Sequence, residues 1–396
     1  MRVIRRVVPG IVLAGLALPI TLAPAPAQAA PVPVGHLAFV TGNGVLDIVA
    51  VMSNGTTTDP VKLGPVTKVA KPKTVTVSGL VVSADKDWLG WSEQISATGK
   101  DGEVRYLGSR VVVRHMYDGK TAVVHANAVL LGFAGHTLVT TGAYNKRLVM
   151  KPTPHLVRIP GNAYAVATYP HGIVDVKFVD QGAKAAVDHE QLRLTTFAGR
   201  HTVLHTYVIG KTYRNVGANV DAVSPDGRKL LVERGNHQDF DGLGPSSLFD
   251  TYSLRSATHA RHKLGHYGTD KAQWRLADAT FVGAHNTPWL AIHSAPKKSH
   301  SGDYYVVRGY VVSYSHGQWA LQDDHGIAVA GNSDGYVVVQ DGEWQPVPNS
   351  DAGEYRPVPG GFALLRGPHG GHYLRKVKGT ELVWVVKPDK KAPEGT

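Results

Sequence analysis

The residues with the best local spacing for chemistry lie in one short run, His237-Gln238-Asp239-Phe240-Asp241-Gly242. Alternate His237, Asp239 and Asp241 offer one imidazole and two carboxylates, a ligand set that suits a divalent ion such as Ca²⁺ when carbonyls complete the shell. The run lacks the bidentate Glu and the register of an EF-hand loop. Its competing reading is a solvated polar loop whose Asp residues cap turns. A second concentration is LRSATHARHKLGHY, which carries Arg255, His259, Arg261, His262, Lys263 and His266. Strand alternation throws His259, Arg261 and Lys263 to one face and His262 to the other. As a ligand-binding stripe, Arg255, His259, Arg261 and Lys263 would hold a polyanion. As an outermost strand, the same charges would keep an open edge from pairing with another molecule.

Signatures of common catalysts are missing from the sequence. There is no G-x-S-x-G elbow, H-E-x-x-H, P-loop or G-x-G-x-x-G fingerprint. With no Cys in 396 residues, disulfides, thiolate metal sites and cysteine nucleophiles are excluded. No cofactor beyond a divalent cation is implied. The seven Trp could stack on sugars or bases, but most lie in or beside expected strands and read as packing. Basic and aromatic residues interleave too sparsely for a specific nucleic-acid partner.

The elements that must position these residues are strands. Short runs rich in Val, Leu, Ile, Tyr and Thr recur between Gly, Asn, Asp and Pro, as in LVVSADKDWLGWSE and GIAVAGNSDGYVVVQDG. The apolar strand after a turn can be followed through Phe39, Leu89, Leu138, Ala186, Leu231, Leu290, Val338 and Leu364. A repeat of about 45 to 50 residues with four short strands has the length of a propeller blade. The expectation is an all-β fold, one closed β-propeller of four-stranded antiparallel blades, with seven blades preferred and eight as the alternative. The last step, 26 residues from Val338 to Leu364, is the irregular one. The unit around Leu231 shows the plan best, as NVDAVSPDG, KLLVERG, SLFDTYSLRS and ATHARHKLGHY, with a polar insertion, NHQDFDGLGPSS, between its second and third strands.

In that unit Val223-Ser224-Pro225-Asp226-Gly227-Arg228-Lys229-Leu230-Leu231-Val232 resembles the S-P-D-G-[KR]-x-[LI]-[AL] repeat of TolB-like, WD-repeat-like propellers. Ser83-Ala84-Asp85-Lys86-Asp87-Trp88-Leu89-Gly90-Trp91-Ser92 is similar but lacks the Pro and Gly, and Asn332-Ser333-Asp334-Gly335-Tyr336-Val337 keeps the Asp-Gly turn. The resemblance implies a propeller, and binding or scaffolding as the common role, without naming a ligand. Read from its own chemistry, Asp226 is a turn residue that bonds backbone beside a Gly free to take positive φ.

The N-terminus has the three parts of a secretory signal: Arg2, Arg5 and Arg6, an apolar run over 11–22 interrupted by Pro19, then Ala27 and Ala29 at the small-residue positions. Cleavage is expected after Ala29. The apolar run is short of the roughly 18 residues a spanning helix needs, and no later stretch resembles one. Residues 30–387 are then the propeller, and 388–396 a flexible tail. Net charge is +11, three units of it from those arginines, so the exported chain would carry +8. A positive envelope favours acidic partners. The reading is a monomeric, secreted or cell-surface binding or scaffold propeller whose partner is an extracellular protein, a glycan or an anionic wall polymer. The rival reading is a hydrolase or lyase acting on a glycan or peptide at the channel mouth.

Overall fold

The structure is a computed structural model. It describes residues 30–385 apart from 101, 143–145, 150–154, 161–163, 180–186, 211–217, 235–247, 265–273, 295–296, 299–303, 306–308, 333–334, 341–342, 347–354, 359–361, 368–369, 376 and 378. The chain divides into Met1–Pro31 and Val32–Thr396, and the second unit is the one described below. Every regular element among the described residues is a strand.

Blade 1 holds β1 (Pro33–Thr41), β2 (Leu46–Met52) and β3 (Val61–Gly64). Blade 2 holds β4 (Lys73–Val82), β5 (Trp88–Thr98), β6 (Val104–His115) and β7 (Thr121–Ala126), and blade 3 holds β8 (Val129–Ala134), β9 (Thr137–Thr141), β10 (Lys146–Val149) and β11 (His155–Arg158). Blade 4 follows with β12 (Tyr164–Tyr169), β13 (Gly172–Val179), β14 (Val187–Thr196) and β15 (His201–Gly210). Blade 5 has β16 (Ala218–Val223), β17 (Lys229–Arg234), β18 (Leu248–Ser253) and β19 (His259–Lys263). In blade 6, β20 (Trp274–Val282) and β21 (Thr287–Ser294) are separated from β24 (Gly309–Ser315) and β25 (Gln318–Asp323) by a small hairpin, β22 (Lys297–Lys298) with β23 (Tyr304–Tyr305). Blade 7 repeats that plan: β26 (Ala328–Asn332) and β27 (Gly335–Gln340), a hairpin of β28 (Glu343–Pro346) with β29 (Tyr355–Val358), then β30 (Phe362–Gly367) and β31 (Gly370–Arg375). The last strand, β32 (Gly379–Val385), pairs with β1 and so completes blade 1, with Phe39 opposite Leu382.

First strands of neighbouring blades pack on one another: β4 on β8, β8 on β12, β12 on β16, β16 on β20, β20 on β26, β26 on β32 and β32 on β4. The ring is therefore closed, as stacked sheets with two apolar faces require.

The expected seven, or alternatively eight, like units laid end to end need correction. Six of the four-stranded sheets are contiguous stretches of chain, and the remaining sheet is a composite of β3, β2 and β1 with β32 from the far end. The irregular step is not a blade at all, because Val338 and Leu364 are directly opposed on β27 and β30 of one sheet. Second and third strands carry the same apolar signature, so counting apolar strands overcounted blades. The second strand of blade 4 is β13, and Ala186, used to trace it, lies outside the described residues.

Alternation within strands makes both faces of each sheet apolar. In β17, Leu230 and Val232 join Val174, Leu192 and Tyr252 between blades 4 and 5, while Leu231 joins Phe281, Leu290 and Phe249 between blades 5 and 6. Each such fully buried side chain stabilises the ring by about 1.5 to 3 kcal/mol. Trp91, Trp289 and Trp319 fill gaps of the same kind. The first strands also share a device. Register breaks by a bulge at 78–81 in β4, 130–132 in β8, 165–167 in β12, 220–222 in β16 and 276–278 in β20, and beside Glu381 in β32. A bulge adds local twist, which lets an inner strand follow a tight ring.

Candidate functional site

The turns joining first to second strands touch from blade to blade. Ser224 Oγ donates to Asp226 Oδ1 at 2.6 Å, and the Arg228 N–H donates to the same carboxylate oxygen at 3.0 Å. Asn286 in the corresponding turn of blade 6 then donates through Nδ2 to Asp226 Oδ2 at 2.8 Å. Blade 2 repeats this without the Pro and Gly: Ser83 Oγ donates to Asp85 Oδ1, Lys86 stands at φ 63° where Gly227 has φ 65°, and His136 Nδ1 of blade 3 sits 2.7 Å from Asp85 Oδ2. Burial works to raise both carboxyls, but the side-chain and backbone hydrogen bonds outweigh it and hold Asp85 and Asp226 below the usual carboxylate value. The file continues elsewhere round the ring. A Cβ on Gly135 would lie 3.9 Å from Pro170 O, one on Gly227 would come within 2.2 Å of Pro170 Cδ, and the Gly283 N–H donates to Asn332 O at 2.8 Å. Turns of blades 2 to 7 thus share one face, the latch face. Asp226 is a structural latch residue there, as its turn chemistry implies.

Connections from second to third strands must leave from the opposite, insertion face. It receives the β22–β23 hairpin and the β28–β29 hairpin. His237, Asp239 and Asp241 lie outside the described residues. Three large aromatic side chains also end at this face: Tyr106 at the start of β6 is 61% exposed, Tyr164 at the start of β12 73%, and Phe178 near the end of β13 67%.

The basic stripe is placed on the outermost strand of blade 5, and Arg255 precedes it in the β18–β19 turn. His259, Arg261 and Lys263 are exposed on one face of the strand and His262 is buried on the other. Two of the four are engaged with the blade itself. Arg261 Nε donates at 3.1 Å to Oδ1 of the fully buried Asp250, and the His259 ring stacks on Tyr252 with centroids 5.3 Å apart. Behind the strand, burial holds His262 below its ordinary value.

Sequence reasoning missed three carboxyls on the inner strands. Glu381 accepts the Leu80 N–H at 2.6 Å, joining blade 1 to blade 2 at a bulge, and Asp278 accepts the N–H groups of Val329 at 3.0 Å and Ala279 at 2.8 Å. Burial pushes Asp278 up to about 7, with Glu381 adding repulsion while the two N–H groups pull the other way. Asp221 sits in the β16 bulge with Oδ2 shielded and without a hydrogen-bond partner, and burial with repulsion from Glu233 and Asp278 raises it well above the carboxylate range. Nothing in the local sequence marks these positions, since Glu381 and Asp278 bond strands of another blade and Asp221 meets Glu233 only through the register of β16 with β17. Among the described residues no three His, Asp or Glu side chains gather as a metal would need.

These sheets and their ring define a β-propeller. No known family, compared by its sequence model, and no curated protein matches the chain. Among solved structures it is similar to a protein from Lactobacillus plantarum, at 11% identity over 89% of this chain and 99% of that one with a TM-score of 0.44. It is also similar to the β-propeller domain of the Trilobed protease from Pyrococcus furiosus, at 9% identity over 85% and 95% with a TM-score of 0.46. A polysaccharide lyase of family PL25, an ulvan lyase, matches at 9% identity over 90% and 86% with a TM-score of 0.28. The class rests on the ring itself, and these likenesses bring no ligand or activity to the chain.

Proposed function

We propose that this chain is an exported, non-catalytic binding propeller that holds an extracellular or cell-surface partner on its insertion face. The observation that carries this reading is the contrast between the two faces. The latch face is occupied by bonds from blade to blade, whereas the insertion face takes the added hairpins and leaves Tyr106, Tyr164 and Phe178 in solvent. Connections on a rigid scaffold are where binding residues concentrate. The signal-like residues 1–29 support export, and the TolB-like turn supports a scaffold role.

The test is co-sedimentation of the purified chain from Ala30 onward with washed envelopes of the producing cells. Tyr164→Ala with Phe178→Ala is expected to release the protein, while Tyr117→Ala, at an exposed site on the latch side, leaves it bound. Release by the latch-side variant alone overturns the reading.

A further inference from the structure

We infer that the channel enclosed by the ring takes a primary alkylammonium group, its head held by Asp221 of β16 and its stem lying along apolar residues at the same level of neighbouring inner strands. The site goes beyond the insertion face and does not rest on it. Bulges of the first strands build it. Each leaves a residue of the inner strand unmatched by the second strand: Leu131 in β8, Val166 in β12, Asp221 in β16 and Ala277 in β20. Ala277 is exposed although its strand packs between β16 and β26, so the bulged position looks into a channel open to solvent. In β16, Val220 packs toward blade 4 and Ala222 toward blade 6, which leaves Asp221 between them at that same position. It is the one carboxyl among these four residues.

The Asp221 carboxyl accepts the Glu233 N–H through one oxygen, while Oδ2 is shielded from solvent and has no hydrogen-bond partner. A buried acceptor left unsatisfied is costly. Among the described residues the charges acting on it, Glu233 on β17 and Asp278 on β20, are both negative, and they add to the burial that raises this carboxyl. An ammonium N–H supplies the missing donor and offsets that repulsion in one contact. Asp221 as a residue is only half-buried, so turning the carboxyl brings Oδ2 to the channel. The surroundings then select among cations. Asp221, Glu233 and Asp278 do not converge as the ligands of one metal ion would. A quaternary ammonium calls for a cage of aromatic rings, and the bulged positions hold none. Half-buried Leu131 and Val166 and exposed Ala277 instead offer an aliphatic lining to the apolar stem that carries a primary ammonium.

The test is isothermal titration calorimetry of the chain from Ala30 onward with n-butylammonium, Nα-acetyl-lysinamide, tetramethylammonium and Ca²⁺, all as chlorides at fixed ionic strength. Saturable binding of n-butylammonium is expected, and tetramethylammonium, which carries the charge without an N–H, should bind about tenfold or more weakly. Asp221→Asn should weaken n-butylammonium about tenfold without lowering the melting temperature, since it removes a carboxyl that repels two others. Asp278→Asn, which leaves Asp221 in place, should weaken it by less. Nα-acetyl-lysinamide binding as well as n-butylammonium assigns the channel to a lysine side chain, and its exclusion assigns it to a free amine; either result keeps the ammonium site. Ala277→Leu, which fills the channel from an exposed position, carries the same test should Asp221→Asn fail to fold, and is expected to weaken n-butylammonium to a similar extent. The inference is overturned by no saturable binding of n-butylammonium, by equal binding of tetramethylammonium, by n-butylammonium binding indifferent to these two variants, or by Ca²⁺ binding that Asp221→Asn abolishes.

Discussion

Asn286 donates to Asp226 across the boundary between blades 5 and 6 at 2.8 Å, in the position that His136 and Asp85 occupy between blades 2 and 3 at 2.7 Å. One carboxylate therefore closes its own turn and ties it to the next blade. Asp226→Ala removes acceptors for Ser224, Arg228 and Asn286, and should destabilise the ring by about 1 to 3 kcal/mol. Gly227→Ala should cost at least as much, since its Cβ would meet Pro170 at 2.2 Å in a backbone with φ 65°. Urea melts of both variants check this, and midpoints unchanged from the parent would remove the latch.

Asp278 supplies a pH dependence of defined sign. Its folded value of about 7 lies above the ordinary 3.8, so the folded state keeps a proton that the unfolded state has already lost. Stability from this group is full below about pH 4 and declines as pH rises toward 7, by up to about 1.4 kcal/mol per pH unit. His262, held below its ordinary value, acts in the opposite sense, so the comparison must be made against a variant. Asp278→Asn should lose less stability than the parent between pH 5 and pH 7.5 in thermal melts. Parallel curves would show that the carboxyl is ionised throughout.

Much of the fold was legible because strands and turns are local. Alternating β-branched runs and the Asp226-Gly227 turn locate all four strands of blade 5, and alternation correctly separates His262 from Arg261. What could not be read depends on pairing between distant segments. Nothing near Glu381 announces that β32 joins β1, or that its carboxylate meets Leu80 of another blade. Val338 and Leu364 look alike because both are apolar strand residues, and only register shows them to be partners. The exposed rings escaped notice for a related reason: Tyr106 in VRYLG reads as a core strand residue until the length of β5 and β6 carries it past the blade.

Glu93 should be a stability determinant of blade 2. It is fully buried and accepts the N–H groups of Val66 at 2.6 Å and Thr67 at 2.9 Å together with Trp91 Nε1 at 3.0 Å. Those bonds hold the segment between blades 1 and 2 against the sheet. Glu93→Ala strands three donors, those of Thr67 and Trp91 buried and that of Val66 partly so, so about 2 to 4 kcal/mol should be lost in denaturant melts. Glu93→Gln, which keeps an acceptor oxygen, should lose less, and equal losses would mean that volume and not hydrogen bonding is the cause.

Arg261 and Lys263 stand on the same exposed face of β19, yet they should respond differently to the same substitution. Lys263 has an exposed side chain on an outer strand, and changes at such positions usually fall within about 0.5 kcal/mol of neutral. Arg261 is paired with Asp250, which is fully enclosed. Removing the guanidinium leaves a buried carboxylate without that cation, a loss that reaches about 3 to 5 kcal/mol for fully buried pairs. Because Arg261 itself is 45% exposed, solvent screens the pair and the expected loss is smaller, about 1 to 2 kcal/mol. Lys263→Gln and Arg255→Gln should therefore melt with the parent, and Arg261→Gln several degrees below it. Retention on an anionic resin separates the two roles of the stripe: Lys263→Gln with Arg255→Gln should elute with the parent if the strand only protects an edge, and at lower salt if it also meets a polyanion. If instead Arg261→Gln melts with the parent, the Asp250 contact is not holding the blade.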